Sequence, residues 1–184
     1  MTQDQTINDT GTQSPATATH PTAANGSYTT DGIPNGSTSI TPHIVVRNAA
    51  AALEFYRDVF GARVVDVTRF PDGDAIAHAV VDFGHGMITL SDPMEEVGLV
   101  ALDDPERRPF TLAIYVQDCD AVTDAAASAG ATVREQPATF VTGDRFSSIL
   151  DPFGVRWAVM TRVEDLSAEE SASRVAAWAK QQGA

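Results

Sequence analysis

The sequence predicts an α+β domain built from two βαβββ modules. Two observations carry that prediction. The same order of elements runs twice at a nearly fixed offset. Val46 and Asn48 stand seventy residues before Val116 and Asp118, and Gly61 and Asp82 stand sixty-nine before Gly130 and Asp151. A fixed-period repeat is stronger fold evidence than any single motif. Each copy also passes from a short apolar strand to a helical stripe and back to strands.

In the first copy, Ile44, Val45 and Val46 form a β-rich run, and Asn48 is a fair N-cap. Ala49, Ala52, Leu53, Tyr56, Val59 and Phe60 then recur on one helical face, and Gly61 stands where a helix ends on a left-handed residue. Residues 63–69 read as a strand, Pro71-Asp72-Gly73-Asp74 as a turn, and 75–82 and 87–91 as two strands around Gly84-His85-Gly86. In the second copy, residues 109–116 read as a strand and Asp118 as the cap. Val122, Ala125, Ala126 and Ala129 make the stripe, and Gly130 closes it. Residues 131–135, 146–150 and 156–160 read as strands, with Thr142-Gly143-Asp144 as a turn.

The flanking segments differ in kind. Residues 1–37 are Thr, Ala, Gly, Ser, Asn and Pro with few large apolar groups. Such a stretch cannot bury enough surface to offset its chain entropy, so a disordered tail is expected, with His20 solvated. The folded domain is placed at 38–163, with modules at about 40–92 and 109–163 and an acidic linker, 92–108, between them. Ser167 and Glu170 spell a capping box that opens a last helix within 164–184, with Val175 and Trp178 on one side, packed on the sheet or a partner.

Composition narrows the function classes. The 184 residues are 43% hydrophobic, which suits one globular domain. No apolar run approaches the roughly 20 residues of a membrane span, and no basic region precedes an apolar stretch at the N-terminus, so a cytoplasmic protein without a membrane partner is expected. The single cysteine, Cys119, leaves no internal disulfide and no multi-cysteine metal site. Its flanking Asp118 and Asp120 discourage a thiolate, which argues against a catalytic thiol. A net charge of −13 repels phosphate backbones, so nucleic acid is not an expected partner.

Val45-Val46-Arg47-Asn48 leading to Phe55-Tyr56 and Phe60-Gly61-Ala62, the closing Ala129-Gly130-Ala131, and Asp151-Pro152-Phe153-Gly154 together resemble the vicinal-oxygen-chelate superfamily, which includes glyoxalases, bleomycin-resistance proteins and extradiol dioxygenases. His78-Ala79, Leu90-Ser91-Asp92 and the closing run 163–167 resemble its PhnB-like branch. That branch usually has a histidine after Asp-Pro-Phe-Gly, where this chain has Val155. The resemblance implies a curled mixed sheet whose concave face makes a shared ligand cavity. It implies dimerisation, and in metal-bearing members one ligand on each of four strands.

The resemblance places the first ligand position fourteen residues before Phe55, at Thr41. The repeat carries it to Thr111, and the remaining two fall on Thr89 and Ala158. Neutral hydroxyls and a methyl are poor partners for zinc, iron or nickel, so no metal or other cofactor is expected. Strand alternation puts Thr41, His43, Val45 and Arg47 on the concave face, opposite Ile44 and Val46. His43 and His78 each read as a pocket residue or a structural histidine, and Tyr115, beside Thr111 and Ala113, as a cavity-wall phenol. Arg47 and Arg156 read either as grips for an anionic group or as members of surface ion pairs. His85 reads as an exposed turn residue and Trp157 as sheet–helix core.

The ligand-binding set is therefore Thr41, His43, Arg47, His78, Thr89, Thr111, Tyr115 and Arg156. The expected function is a metal-free, homodimeric small-molecule binder that sequesters a drug or metabolite. The alternatives are a glyoxalase- or dioxygenase-like enzyme with a non-standard site, and a scaffold module that uses its last helix and acidic surface.

Overall fold

The computed structural model describes residues 22–104 and 109–183. The chain divides into two units between Ser37 and Thr38. Of the segment read as a tail, residues 1–21, His20 among them, lie outside the described residues. Residues 22–37 hold a small antiparallel ribbon, β1 (Thr29–Thr30) and β2 (Ile33–Pro34). Its turn residues Asp31 and Gly32 both have positive φ, as a tight two-residue hairpin loop requires.

The second unit runs β3 (His43–Val45), α1 (Ala49–Phe60), β4 (Arg63–Arg69), β5 (Ile76–Asp82), β6 (Met87–Ser91), then β7 (Leu112–Tyr115), α2 (Cys119–Ser128), β8 (Thr132–Thr139), β9 (Asp144–Leu150), β10 (Arg156–Arg162) and α3 (Ala168–Gln181). A 3-10 turn, Glu95–Val97, lies in the linker. Both expected βαβββ units are present. Each makes its own four-stranded sheet, ordered β3-β6-β5-β4 and β7-β10-β9-β8, with the first strand parallel to the last and the others antiparallel. The mixed sheet that the resemblance implies is present as two halves, one per module, which are not hydrogen-bonded to each other. Two of their edge strands, β3 and β7, are three and four residues long and pair on one side only, which leaves little backbone for a further partner.

The helix boundaries follow local chemistry. Asn48, at φ 62°, caps α1 by accepting from the Ala51 amide at 3.2 Å, and Gly61, at φ 66°, ends it. Asp118 caps α2 by accepting from the Ala121 amide at 3.0 Å. The capping box of α3 is complete. Strand lengths departed more from expectation. Residues 109–111 lie outside β7. β8 runs on to Thr139 through Pro137, which is tolerated because β8 is an edge strand with a register shift between Glu135 and Ala138.

The core lies between the helices and the inner sheet faces. Ala49, Ala52, Leu53, Tyr56 and Val59 of α1 join Ile44, Val81, Ile88 and Leu90 of the first sheet. Trp157 of the second sheet is 2% exposed and meets Tyr56 and Phe60 at ring centroid separations of 5.4 and 4.8 Å. Asp151 sits beneath this cluster. One carboxylate oxygen accepts from the Tyr56 hydroxyl at 2.9 Å and the Trp157 indole at 3.0 Å, and the other from the Phe153 and Val155 amides at 3.0 and 2.8 Å. Burial pushes its carboxyl above the ordinary value against the pull of these four donors. The Asp-Pro-Phe-Gly turn is thereby a joint between α1 of the first module and β10 of the second. No helix among the described residues is long and apolar enough to cross a membrane.

Candidate functional site

Both sheets turn one face to their helices and leave the other open. On the first sheet, His43, Thr89 and Val80 lie side by side across β3, β6 and β5, and Val45 lies beside Ser91 in the next row on that face. His78, opposite Thr68, shares this face. The adjacent register positions, Ile44, Leu90 and Ala79, are buried toward α1. The strand alternation read from the sequence is the one observed.

His43 is held on both sides of its ring. Nδ1 lies 2.8 Å from the Thr89 hydroxyl, and Nε2 lies 3.2 Å from the Ser91 hydroxyl. Thr89 reaches the Pro42 carbonyl at 3.5 Å, a donation that leaves its oxygen free to accept from Nδ1–H. Nε2 then accepts from Ser91, which is fully buried. This arrangement suits a neutral imidazole. Burial, and then the neighbouring His78, hold the His43 pKa below its ordinary value. The two rings are parallel, with centroids 6.1 Å apart, and both residues are exposed.

On the second sheet, Tyr115, Met160 and Phe146 align across β7, β10 and β9, and Ala113, Ala158 and Ser148 form the next row. Tyr115 is 59% exposed and donates to Asp144 at 3.3 Å. Asp144 also pairs with Arg162 at 2.9 Å and accepts from Thr142 at 3.0 Å. Its residue is 6% exposed, so the carboxylate is enclosed by its partners.

The structure sorts the expected site residues. His43, His78 and Thr89 form one cluster, and Tyr115 lies on the other sheet. Thr41 and Thr111 precede their strands. Thr41 bonds back to Thr38, with the two hydroxyls 3.0 Å apart, and Thr111 is exposed. The first-strand residue directly beside Thr89 is His43, and the residue beside Ala158 is Ala113, so the four positions drawn from the resemblance do not lie in matching rows. Arg47 is engaged by Asp103 at 2.5 Å, and Arg156 by Glu135 at 3.0 Å and Ser148 at 3.0 Å. Both guanidiniums follow the ion-pair reading. Ser91 and Asp144 were missed. Ser91 could have been found two residues after Thr89 on the same face. Asp144 was hidden because its triplet reads as a turn.

A transition metal does not fit this donor set. The two imidazoles stack on each other instead of converging, and both nitrogens of His43 are engaged by hydroxyls. Among the described residues no three His, Cys, Asp or Glu side chains gather where they could hold a metal ion. Among the described residues, three of the cavities lie at the open faces. One of about 340 Å³ lies between the β5–β6 hairpin and β7, lined by Phe83, Met87, Leu112 and Tyr115. One of about 190 Å³ is lined by His43, Val100, Leu102, Phe110 and Arg156. The third, about 440 Å³, lies on the second sheet over Phe146 and Met160.

These features define a small α+β protein of paired βαβββ modules with open, partly apolar concave faces. The chain belongs to the Glyoxalase/Bleomycin resistance protein/Dioxygenase superfamily, whose family profile matches residues 38–159. An uncharacterized protein of Mycobacterium bovis is 31% identical over 139 residues, covering 74% of this chain and 91% of its own. Among solved structures, a Pseudomonas aeruginosa protein superposes with a TM-score of 0.58 at 20% identity, covering 68% of this chain and 98% of that one. A PhnB protein from Bacillus cereus gives 0.54 at 16% identity, covering 67% and 99%. At those identities the two structures speak for the fold alone.

Proposed function

We propose that this chain binds a small organic molecule on its concave faces without a transition metal, in the manner of a sequestering protein. The observation that carries the reading is the donor set. By the resemblance, the positions that hold metal ligands in metal-bearing members fall on Thr41, Thr89, Thr111 and Ala158, and the imidazole beside Thr89, that of His43, is engaged by Thr89 and Ser91. Cavities of about 340 and 440 Å³ with mixed apolar and polar walls suit ligands of modest size. The open faces also favour a homodimer that covers them, which sedimentation velocity would detect as twice the chain mass. A thermal-shift screen of small molecules, zinc, nickel, manganese and a chelator tests the proposal. The expected result is a rise in Tm with at least one organic compound and none with the metals. Stoichiometric metal in the purified protein, or a metal-induced rise abolished by chelator, would overturn it.

A second reading, metal-free acid–base catalysis, is favoured by one observation, the neutral His43 stacked on the open His78. It requires turnover that His78→Ala abolishes.

A further inference from the structure

The largest of the three cavities has an unusual wall. Its floor is Phe146 and Met160 of the second sheet, and its side is Phe140, at the start of the β8–β9 turn. The turn is held by its backbone, with the Phe140 amide donating to the Asp144 carbonyl at 2.8 Å and the Gly143 amide to the Phe140 carbonyl at 3.0 Å. The Phe140 ring meets Trp178 of α3 edge to face, with centroids 5.2 Å apart and planes at 75°. Trp178 does not line the cavity itself.

The last helix is tied to the same turn. The Val163 and Glu164 amides both donate to the Gly143 carbonyl, at 2.9 and 3.1 Å, and Arg174 pairs with Glu164 at 2.8 Å. Yet no residue of α3 is buried. Core packing therefore does not explain the placement of Trp178, and its aromatic neighbour among the described residues is the ring that walls the cavity. The polar groups around the cavity are already matched. Asp144 is held by Arg162, Tyr115 and Thr142, and Glu135 by Arg156. An anionic ligand would find both guanidiniums of this face paired with carboxylates, in a chain of net charge −13.

We propose that this cavity takes a flat aromatic group carrying no negative charge, with Phe140 as a contact residue and Trp178 as the positioning residue that orients it. The inference rests on the small-molecule reading above and names the ligand class for one of its faces. The test uses three matched probes: 2-naphthylmethylamine, 2-naphthylmethanol and 2-naphthoate. Binding is followed by calorimetry and by tryptophan emission, with Trp178→Phe to separate the helix signal from that of buried Trp157.

The amine and the alcohol should bind at least about fivefold more tightly than 2-naphthoate, since like charges repel and paired guanidiniums cannot compensate. Phe140→Ala should weaken them about tenfold, the size of one lost aromatic contact. Trp178→Ala should weaken them several-fold while Trp178→Phe restores most of the affinity. A merely structural role would not produce that split, and circular dichroism of the free variants checks that the fold is intact. Tightest binding of 2-naphthoate, no binding of any probe, or unchanged affinity in Phe140→Ala would each overturn the inference. If a library compound still raises Tm and His78→Ala abolishes that rise while Phe140→Ala does not, this inference fails and the small-molecule reading stands.

Discussion

Removing one oxygen atom from the core should expose how the two modules are joined. Tyr56→Phe keeps the ring that packs against Phe60, Phe83, Phe153 and Trp157, so it opens no cavity of consequence. It deletes the hydroxyl that donates to Asp151 at 2.9 Å. Hydrogen bonds to charged groups contribute about 1.5–3 kcal/mol, and this one is fully buried, so a loss near 2 kcal/mol is expected. For a domain of this size that corresponds to a fall of roughly 4–8 °C in Tm. Urea denaturation at pH 7 measures it directly. Asp151→Asn should cost more, because an amide nitrogen must then face two of the four donors that now meet carboxylate oxygens. Since the two residues share a bond, the double variant should be less destabilised than the sum of the singles by about 1–2 kcal/mol. A Tyr56→Phe cost below about 0.5 kcal/mol, or strict additivity in the cycle, would refute the view that Asp151 is an ionised acceptor joining α1 to β10.

Other expectations follow from single residues. His43 titrates below the ordinary imidazole value of about 6.5. The unfolded chain therefore takes up a proton first as pH falls. The stability His43 contributes is complete above about pH 7 and is lost as pH drops through 6.5 toward the folded value, and His43→Asn should flatten that part of the stability–pH curve. An unchanged slope between pH 7.5 and 5.5 would contradict this. Gly143 has φ 81°, and an added Cβ would meet Glu164 at 3.0 Å and Leu166 at 3.1 Å. Gly143→Ala should therefore cost about 2–3 kcal/mol, whereas Gly130→Ala, with Pro152 at 3.6 Å, should cost only the backbone penalty of about 1 kcal/mol. Equal Tm losses in the two would refute the steric part. Asn48→Ala should cost about 1–2 kcal/mol by removing the cap on a left-handed residue, and Asn48→Gly less, because glycine adopts that backbone freely. The reverse order in denaturation midpoints would contradict the cap.

Much of the fold was legible because its signals are local. Asn48, Gly61 and Asp118 each act within one helical turn, and strand alternation alone separated Ile44 from His43 and Trp157 from Arg156. Strand ends were less legible. β8 extends through Pro137 and β9 begins at Asp144 because a pairing partner lies opposite, and a partner is not a local property. Of the candidate site, the sequence supplied which residues share a face but not what each one touches. For Arg47 and Arg156 the sequence favoured ion pairs over anion grips but could not name the partners, which are Asp103 and Glu135.

By itself the sequence determined the doubled βαβββ order, the helix limits and which strand residues share a face, since each depends on periodicity or residue type. Only the tertiary structure decided that the two sheets are not hydrogen-bonded to each other, that His43 lies beside Thr89 and Ser91, and that Trp178 meets Phe140. Those facts depend on long-range register and packing, where residues distant in the chain meet at a few ångströms and small shifts exchange one partner for another.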